Sequence, residues 1–292
     1  MRILVTGATG QLGSEVVDGF RCAGYEVLAP GRDELDLLQP DQVAASVGSL
    51  QADWVINCAA YTQVDKAESD AGSAFTVNRD SAASLARAVA GYGGRLLQVS
   101  TDFVFDGAQR TPYREPDEPD PLGVYGQSKL EGEQAVLQAL PEAVVLRTAW
   151  VYGIRGHNFV KTMLRLALAG KPLRVVDDQT GTPTWARDIA SAIAVLVAAD
   201  ARGTFHYTNA GETSWHGFAC AILDEAAAVG FKVKTEDVTP IPTSAYPTPA
   251  TRPAYSVLST ETIRPLLDAP IANWRDSLKK MLQELYTCAD CL

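Results

Sequence analysis

The chain opens on an apolar run, Ile3 to Val5, followed at once by Gly7, Gly10 and Gly13. This pattern predicts a buried strand, a glycine-rich turn, and a helix from about Gln11 to Gly24. Further short apolar runs predict strands at Tyr25–Ala29, Asp53–Asn57, Arg95–Ser100 and Val144–Arg147. Between them lie helical windows: Ala82–Ala90, where Leu85 and Val89 share a face at i,i+4, and Tyr125–Gln138. Strands that are apolar throughout, alternating with helices, predict a parallel sheet covered on both faces. The expected fold class is α/β, a doubly wound Rossmann-type parallel sheet.

After about Val151 the rhythm changes. Helices are expected at Phe159–Ala169 and Ala186–Ala199 and a short strand at Thr204–Thr208; the Pro-rich stretch Pro240–Pro253 reads as an ordered loop. Two units follow: residues 1–150 as a dinucleotide-binding domain and 151–292 as a smaller C-terminal α/β substrate lobe. Some elements of the second are expected to complete the first sheet.

Composition narrows the functional classes. Of 292 residues, 47% are hydrophobic and 21% charged, the balance of a globular protein with a real core. The formal net charge is -10, and all of it falls in residues 1–150, where 11 basic residues face 21 acidic ones. Nucleic acid is therefore excluded as a partner, because its binding needs Lys and Arg to neutralise phosphates. The opening Met1–Gly7 lacks the build of a secretory leader, and Ile189–Ala199 is too short to cross a bilayer, so a cytoplasmic protein without membrane contact is expected. The five cysteines form no disulfide framework, and Cys288 and Cys291 read as two thiols in a frayed tail. His157, His206 and His216 lack metal-ligand spacing and read as loop or surface residues; no metal site is expected.

Two motifs carry chemistry. Gly7-Ala8-Thr9-Gly10-Gln11-Leu12-Gly13 stands between a strand and a helix, where glycines allow close backbone approach to a pyrophosphate and the helix N-terminus offers free N–H groups. After the second strand, Arg32 favours the 2′-phosphate of NADPH, while the adjacent Asp33 leaves NADH possible. Tyr125-Gly126-Gln127-Ser128-Lys129 is Y-x-x-x-K. On a helix the ammonium lies beside the phenol and is expected to lower its pKa, so that Tyr125 can pass a proton to a carbonyl oxygen as hydride arrives. Thr101, at the end of the fourth strand, is placed to hydrogen-bond the substrate oxygen or that phenol; Ser100, Thr101 and Asp102 are equally typical turn caps.

With these residues in hand, the chain resembles the extended short-chain dehydrogenase/reductases and, among them, the dTDP-4-dehydrorhamnose reductases. The narrower blocks are Ala59–Glu68, Ser100–Gly107, Arg147–Gly153, Asp178–Thr184 and Tyr246–Pro253, and the likeness covers nearly the whole chain. It implies NAD(P)H-dependent reduction of the 4-keto group of a nucleotide-linked deoxysugar, for cell-envelope polysaccharide. Tyr125 would be the general acid, Lys129 its electrostatic partner and ribose ligand, and Thr101 the third catalytic group. Gly10, Gln11 and Leu12 would face the cofactor diphosphate, Asp36 and Leu37 the adenine, and Ala60, Tyr61 and Thr62 the nicotinamide side. Asp102 and Trp150 would hold the sugar. Independently of the resemblance, the placement of charge leaves Lys161, Arg165 and Arg252 of the neutral second half available to the sugar-nucleotide diphosphate. Some members bind Mg2+ at a homodimer contact through glutamates; Glu15 stands in the matching place, but Tyr286–Leu292 offers no second glutamate.

Two other readings stay open. Dehydratases of the same superfamily carry an acidic pair after the threonine, whereas Asp102 is followed here by Phe103; an epimerase is not excluded by that residue. A non-catalytic regulatory subunit, as in methionine adenosyltransferase complexes, is the third, because the fold alone does not determine function.

Overall fold

A computed structural model of the chain describes residues 1–235 and 237–288. Its centre is a six-stranded parallel sheet. In chain order the strands are β1 (Arg2–Thr6), β2 (Glu26–Leu28), β3 (Trp54–Asn57), β4 (Arg95–Thr101), β5 (Val144–Thr148) and, after the shorter β6 (Val151–Tyr152), β7 (Leu173–Val176), β8 (Thr180–Gly181) and β9 (Thr184–Trp185), the returning strand β10 (Gly203–His206). The spatial order is β10-β5-β4-β3-β1-β2, with register pairs such as Ile3 on Trp54 and Ser100 on Arg147.

Helices cover both faces. On one side lie α1 (Gln11–Cys22) and, much later in the chain, α8 (Ala186–Ala198); on the other lie α2 (Pro40–Leu50), α5 (Ser81–Tyr92) and α6 (Val124–Ala139). Two short helices, α3 (Val64–Ala67) and α4 (Ala71–Phe75), lead through a wide π-type turn, Thr76–Asp80, into α5. Ile189, Ile193 and Leu196 of α8 bury themselves with Val16 and Phe20 of α1 against Val5 and Ile56 of the sheet. The boundary at residue 150 is thus crossed: α8 and β10 belong to the first layer.

The second lobe has its own core. It is built from α7 (Phe159–Leu168), α9 (Trp215–Val229) and α10 (Trp274–Thr287), with β7 paired in parallel to β12 (Val238–Ile241) and β8 antiparallel to β11 (Thr213–Ser214). Helices α9 and α10 correct the expectation of only loops and short strands after residue 199. Helix α10 carries Leu278, Met281, Leu282 and Leu285 on one buried stripe and is capped by Asn273, whose side chain accepts from Arg275 N–H.

Two further expectations change. His206 is fully buried on β10, not a surface residue. Cys288 is disulfide-bonded rather than a free thiol, and Cys291 lies outside the described residues. Among the described residues no helix is long and apolar enough to cross a membrane.

Candidate active site

The carboxyl ends of β1, β2 and β3 open onto a cleft of about 430 Å³. Its lining includes Gly7, Arg32, Asp36, Leu37, Ala60, Tyr61 and Thr62, all expected from the sequence, together with Lys66 and Asp70, which were not. The glycines have separate reasons. Gly7 takes φ +64°, and a Cβ there would meet Ala59 N at 2.7 Å; a Cβ on Gly13 would sit 2.1 Å from Gly7 O. Gly10 begins α1 without a side-chain cap, so the first N–H groups of the helix, those of Gln11 and Leu12, are left for a ligand. The Leu12 side chain itself is buried in the core. This uncapped, Cβ-free cradle fits a dinucleotide pyrophosphate.

The Gln11 side chain turns away from that cradle. It donates to His157 O at 3.1 Å and accepts from Asn158 Nδ2 at 3.0 Å, clasping the segment that leads into α7. Arg32 is largely exposed and lies 3.5 Å from Asp36, at the rim where an adenosine ribose would lie.

Thr101 closes β4 with Asp102 directly after it, Tyr125 is hydrogen-bonded to Thr101, and Lys129 reaches the same strand two residues earlier, at Val99. Thr101 Oγ1 accepts from Phe103 N–H at 3.2 Å, so the residue does cap the turn that follows β4. The Tyr125 ring stands edge-on to Phe103, centroids 5.6 Å apart. Burial pushes the Tyr125 phenol up to about 12; a hydrogen bond with Thr101 opposes this and the Asp102 charge adds to it. The expected lowering by Lys129 is not what the geometry shows. The Lys129 ammonium donates to Val99 O at 2.7 Å and is itself brought down to about 8 by burial. A phenol that keeps its proton at neutral pH is the state a proton donor needs. Asp102 is buried, its carboxyl raised to about 6 by desolvation, and its Oδ2 has no hydrogen-bond partner among the described residues.

Asn78 was missed. It accepts from Tyr61 N–H at 2.8 Å and donates to Ser128 Oγ at 2.9 Å, bolting the cleft loop to the helix that carries Tyr125 and Lys129. Nothing in the sequence set it apart, because it stands in a polar run with Arg79, Asp80 and Ser81.

A second cavity, about 360 Å³, lies in the C-terminal lobe between Phe159, Met163, Trp215, Tyr246 and the guanidinium residues Arg174 and Arg252. Trp150, held at φ +46°, stacks on Trp215 with ring centroids 3.6 Å apart. Arg252 also binds Asp65 at 2.9 Å. Lys161 and Arg165, expected near a diphosphate, do not line this cavity; Lys161 Nζ instead donates to Ile154 O at 3.1 Å.

The residues do not fit a Mg2+ ion at Glu15. Its Oε2 accepts from Arg187 Nε at 2.9 Å, and the same guanidinium pairs with Glu284 of α10. Glu284 is thus near Glu15, but an arginine sits between the two carboxylates. Among the described residues no cluster of three or more His, Cys, Asp or Glu is arranged to hold a metal.

Residues 1–287 match the family model described as the RmlD substrate binding domain. The chain belongs to this family. It is 43% identical to a curated dTDP-4-dehydrorhamnose reductase from Burkholderia thailandensis, over 98% of this chain and 99% of that one. Among solved structures, a dTDP-4-dehydrorhamnose reductase ortholog from Clostridium acetobutylicum superimposes with TM-score 0.92 at 39% identity, covering 98% of this chain and all of the other. A dTDP-4-dehydrorhamnose reductase from Bacillus anthracis in complex with NADP does so with TM-score 0.91 at 34% identity, covering 97% and 99%. The RmlD match thus bears out the Rossmann-type reductase resemblance carried by the sequence blocks.

Proposed function

We propose that the protein is an NADPH-dependent reductase that converts the 4-keto group of dTDP-4-dehydro-L-rhamnose to the alcohol, yielding dTDP-L-rhamnose. The carrying observation is the gathering of Thr101, Tyr125 and Lys129 at the end of β4 beside a pyrophosphate cradle. The curated and solved relatives named for this reaction, and the NADP in one of them, support it.

The nicotinamide cofactor supplies a hydride to the keto carbon. Gly7, Gly10 and the first N–H groups of α1 hold its diphosphate, and Arg32 meets the 2′-phosphate. Thr101 Oγ1 orients the keto oxygen. Tyr125, protonated at neutral pH, delivers its proton to that oxygen as charge develops there. Lys129 stabilises the phenolate left behind. Asp102 and Trp150 position the sugar, Trp150 and Trp215 together offer a flat apolar wall, and Arg174 with Arg252 meets the diphosphate.

Dehydration of an intact sugar is disfavoured, because Phe103 stands where a second acid would have to be. A purely regulatory role would leave the hydrogen-bonded Tyr125 and Thr101 and the buried Lys129 without a use, which disfavours it.

The test is NADPH oxidation with the keto-sugar followed at the nicotinamide absorbance. Tyr125→Phe should lower kcat by about 10²- to 10⁴-fold while cofactor affinity holds. Full turnover by that variant would remove Tyr125 from its role, and no oxidation by the unmodified protein would favour the regulatory reading.

A further inference from the structure

Behind the catalytic pair, α6 buries a second charged group. Glu133 stands one turn beyond Lys129 at i,i+4, as Lys129 stands one turn beyond Tyr125, and Lys129 and Glu133 are only 4% and 3% exposed. Helix α6 can carry this row so deep because Gly132 lets it lie directly on the π-type turn. A Cβ there would be 2.0 Å from Asn78 O.

Glu133 is clamped from the neighbouring strand. Arg147 of β5 gives it three hydrogen bonds: Nε to Oε1 at 3.0 Å, Nε to Oε2 at 3.2 Å and Nη2 to Oε2 at 2.7 Å. The guanidinium is fixed in turn. It lies over the Phe105 ring at 5.2 Å, and its Nη1 is 3.4 Å from His206 Nε2. His206 Nδ1 faces Tyr113 O at 3.2 Å, which makes Nδ1 the protonated nitrogen and leaves Nε2 as an acceptor toward Arg147. Burial and the Arg147 charge hold this imidazole neutral, down to about 3.

The groups facing Lys129 can therefore be named. Tyr125 and Glu133 share its helix, Val99 O lies on β4, and Cys58 follows β3. Burial pushes the Cys58 thiol up to about 12, so it keeps its proton at neutral pH and contributes no charge. Glu133 is left as the anion that opposes the desolvation of Lys129. Its charge is shared with Arg147.

We propose that Glu133, fixed by Arg147, is a positioning residue that keeps the Lys129 side chain cationic behind Tyr125. The row Tyr125–Lys129–Glu133–Arg147 then ties the proton donor to β5 through alternating charges. Its catalytic use rests on the reductase reading, but the charge state of Lys129 can be measured without substrate.

The experiment is a 13C titration of the lysine ε-carbons, in which Lys129 is assigned by comparison with Lys129→Met among the eight lysines. Glu133→Gln combined with Arg147→Met removes both charges and leaves no unpaired buried guanidinium. The Lys129 midpoint should fall by about one pH unit or more, with the alkaline limb of kcat/KM moving by the same amount. Arg147→Met alone releases Glu133 from its competitor, so the midpoint should rise. Glu133→Asp should restore the unmodified value in part. A role confined to packing would lower stability without shifting the midpoint in opposite directions. An unmoved midpoint in the double variant, or shifts of one sign in both, overturns the proposal. Failure of the unmodified protein to reduce the keto-sugar would instead overturn the reductase reading and leave this titration decisive.

Discussion

Trp150 lies flat on Trp215, with ring planes 7° from parallel, and Gly181 is what leaves room for the pair. A Cβ at Gly181 would come within 2.4 Å of the Trp150 indole. Gly181→Ala should therefore tilt Trp150 off its partner. We expect the KM for the nucleotide sugar to rise about tenfold, as befits an overpacking cost of about 1–3 kcal/mol. NADPH affinity, read by fluorescence, should be unchanged. An unaltered KM would remove the indole pair from the substrate site.

The cations of the second cavity can be separated from those merely near it. Arg174→Ala and Arg252→Ala should each weaken nucleotide-sugar binding about 10- to 100-fold, the range for a charge-assisted hydrogen bond. Lys161→Ala and Arg165→Ala should leave it within about twofold. Calorimetric titration with the dTDP moiety alone reads all four variants, and a reversed ranking would move the diphosphate to α7.

Asp102 gives a stability signature with a definite sign. Its carboxyl is raised from 3.8 to about 6 by burial, so between those values the folded chain holds a proton that the unfolded chain has released. Stability from this group is thus highest below about pH 4 and falls as pH rises through 6. Asp102→Asn should melt several degrees higher than the unmodified protein at pH 7.5, a gain of up to about 3 kcal/mol. The gain should vanish near pH 4, and sugar turnover should drop. A variant that melts lower at pH 7.5 would contradict the burial argument.

Arg187 stands where a cation is needed, so metal should be irrelevant there. Neither excess Mg2+ nor a chelator should shift the melting temperature of the unmodified protein. Arg187→Met leaves Glu15, largely buried, facing Glu284 across the gap. It should cost about 1–2 kcal/mol, read as a fall of about 2–8 °C. A saturable rise in melting temperature with Mg2+ in the unmodified chain would restore the metal reading.

The parts readable from sequence were those set by short-range rules. Gly7, Gly10 and Gly13 announced a cradle because only glycine tolerates such close backbone contacts. Tyr125 and Lys129 shared a face because helices repeat every 3.6 residues. The apolar runs of β1, β3, β4 and β5 showed a sheet buried on both sides. What escaped depends on contacts far apart in the chain. His206 looked exposed because nothing local shows Arg147 and Phe105 closing on it. The pairing of Arg187 with Glu15 and Glu284 left no local trace because they are 172 and 97 residues away. Helix α9 was overlooked because its many alanines blur the contrast between the buried face and the rest, whereas α10 had a clear stripe and cap and could have been found.

The return of the chain to the sheet through α8 and β10 has a practical consequence for how the protein can be divided. A fragment ending at residue 150 would lose β10, the edge strand that pairs with β5 from Val144 to Arg147. It would also lose the α8 residues that cover Val16 and Phe20. Its sheet would end in a bare row of N–H and C=O groups beside an uncovered apolar face, a template for aggregation. Fragment expression and limited proteolysis should accordingly yield no soluble amino-terminal half, and the folding unit is the interleaved whole.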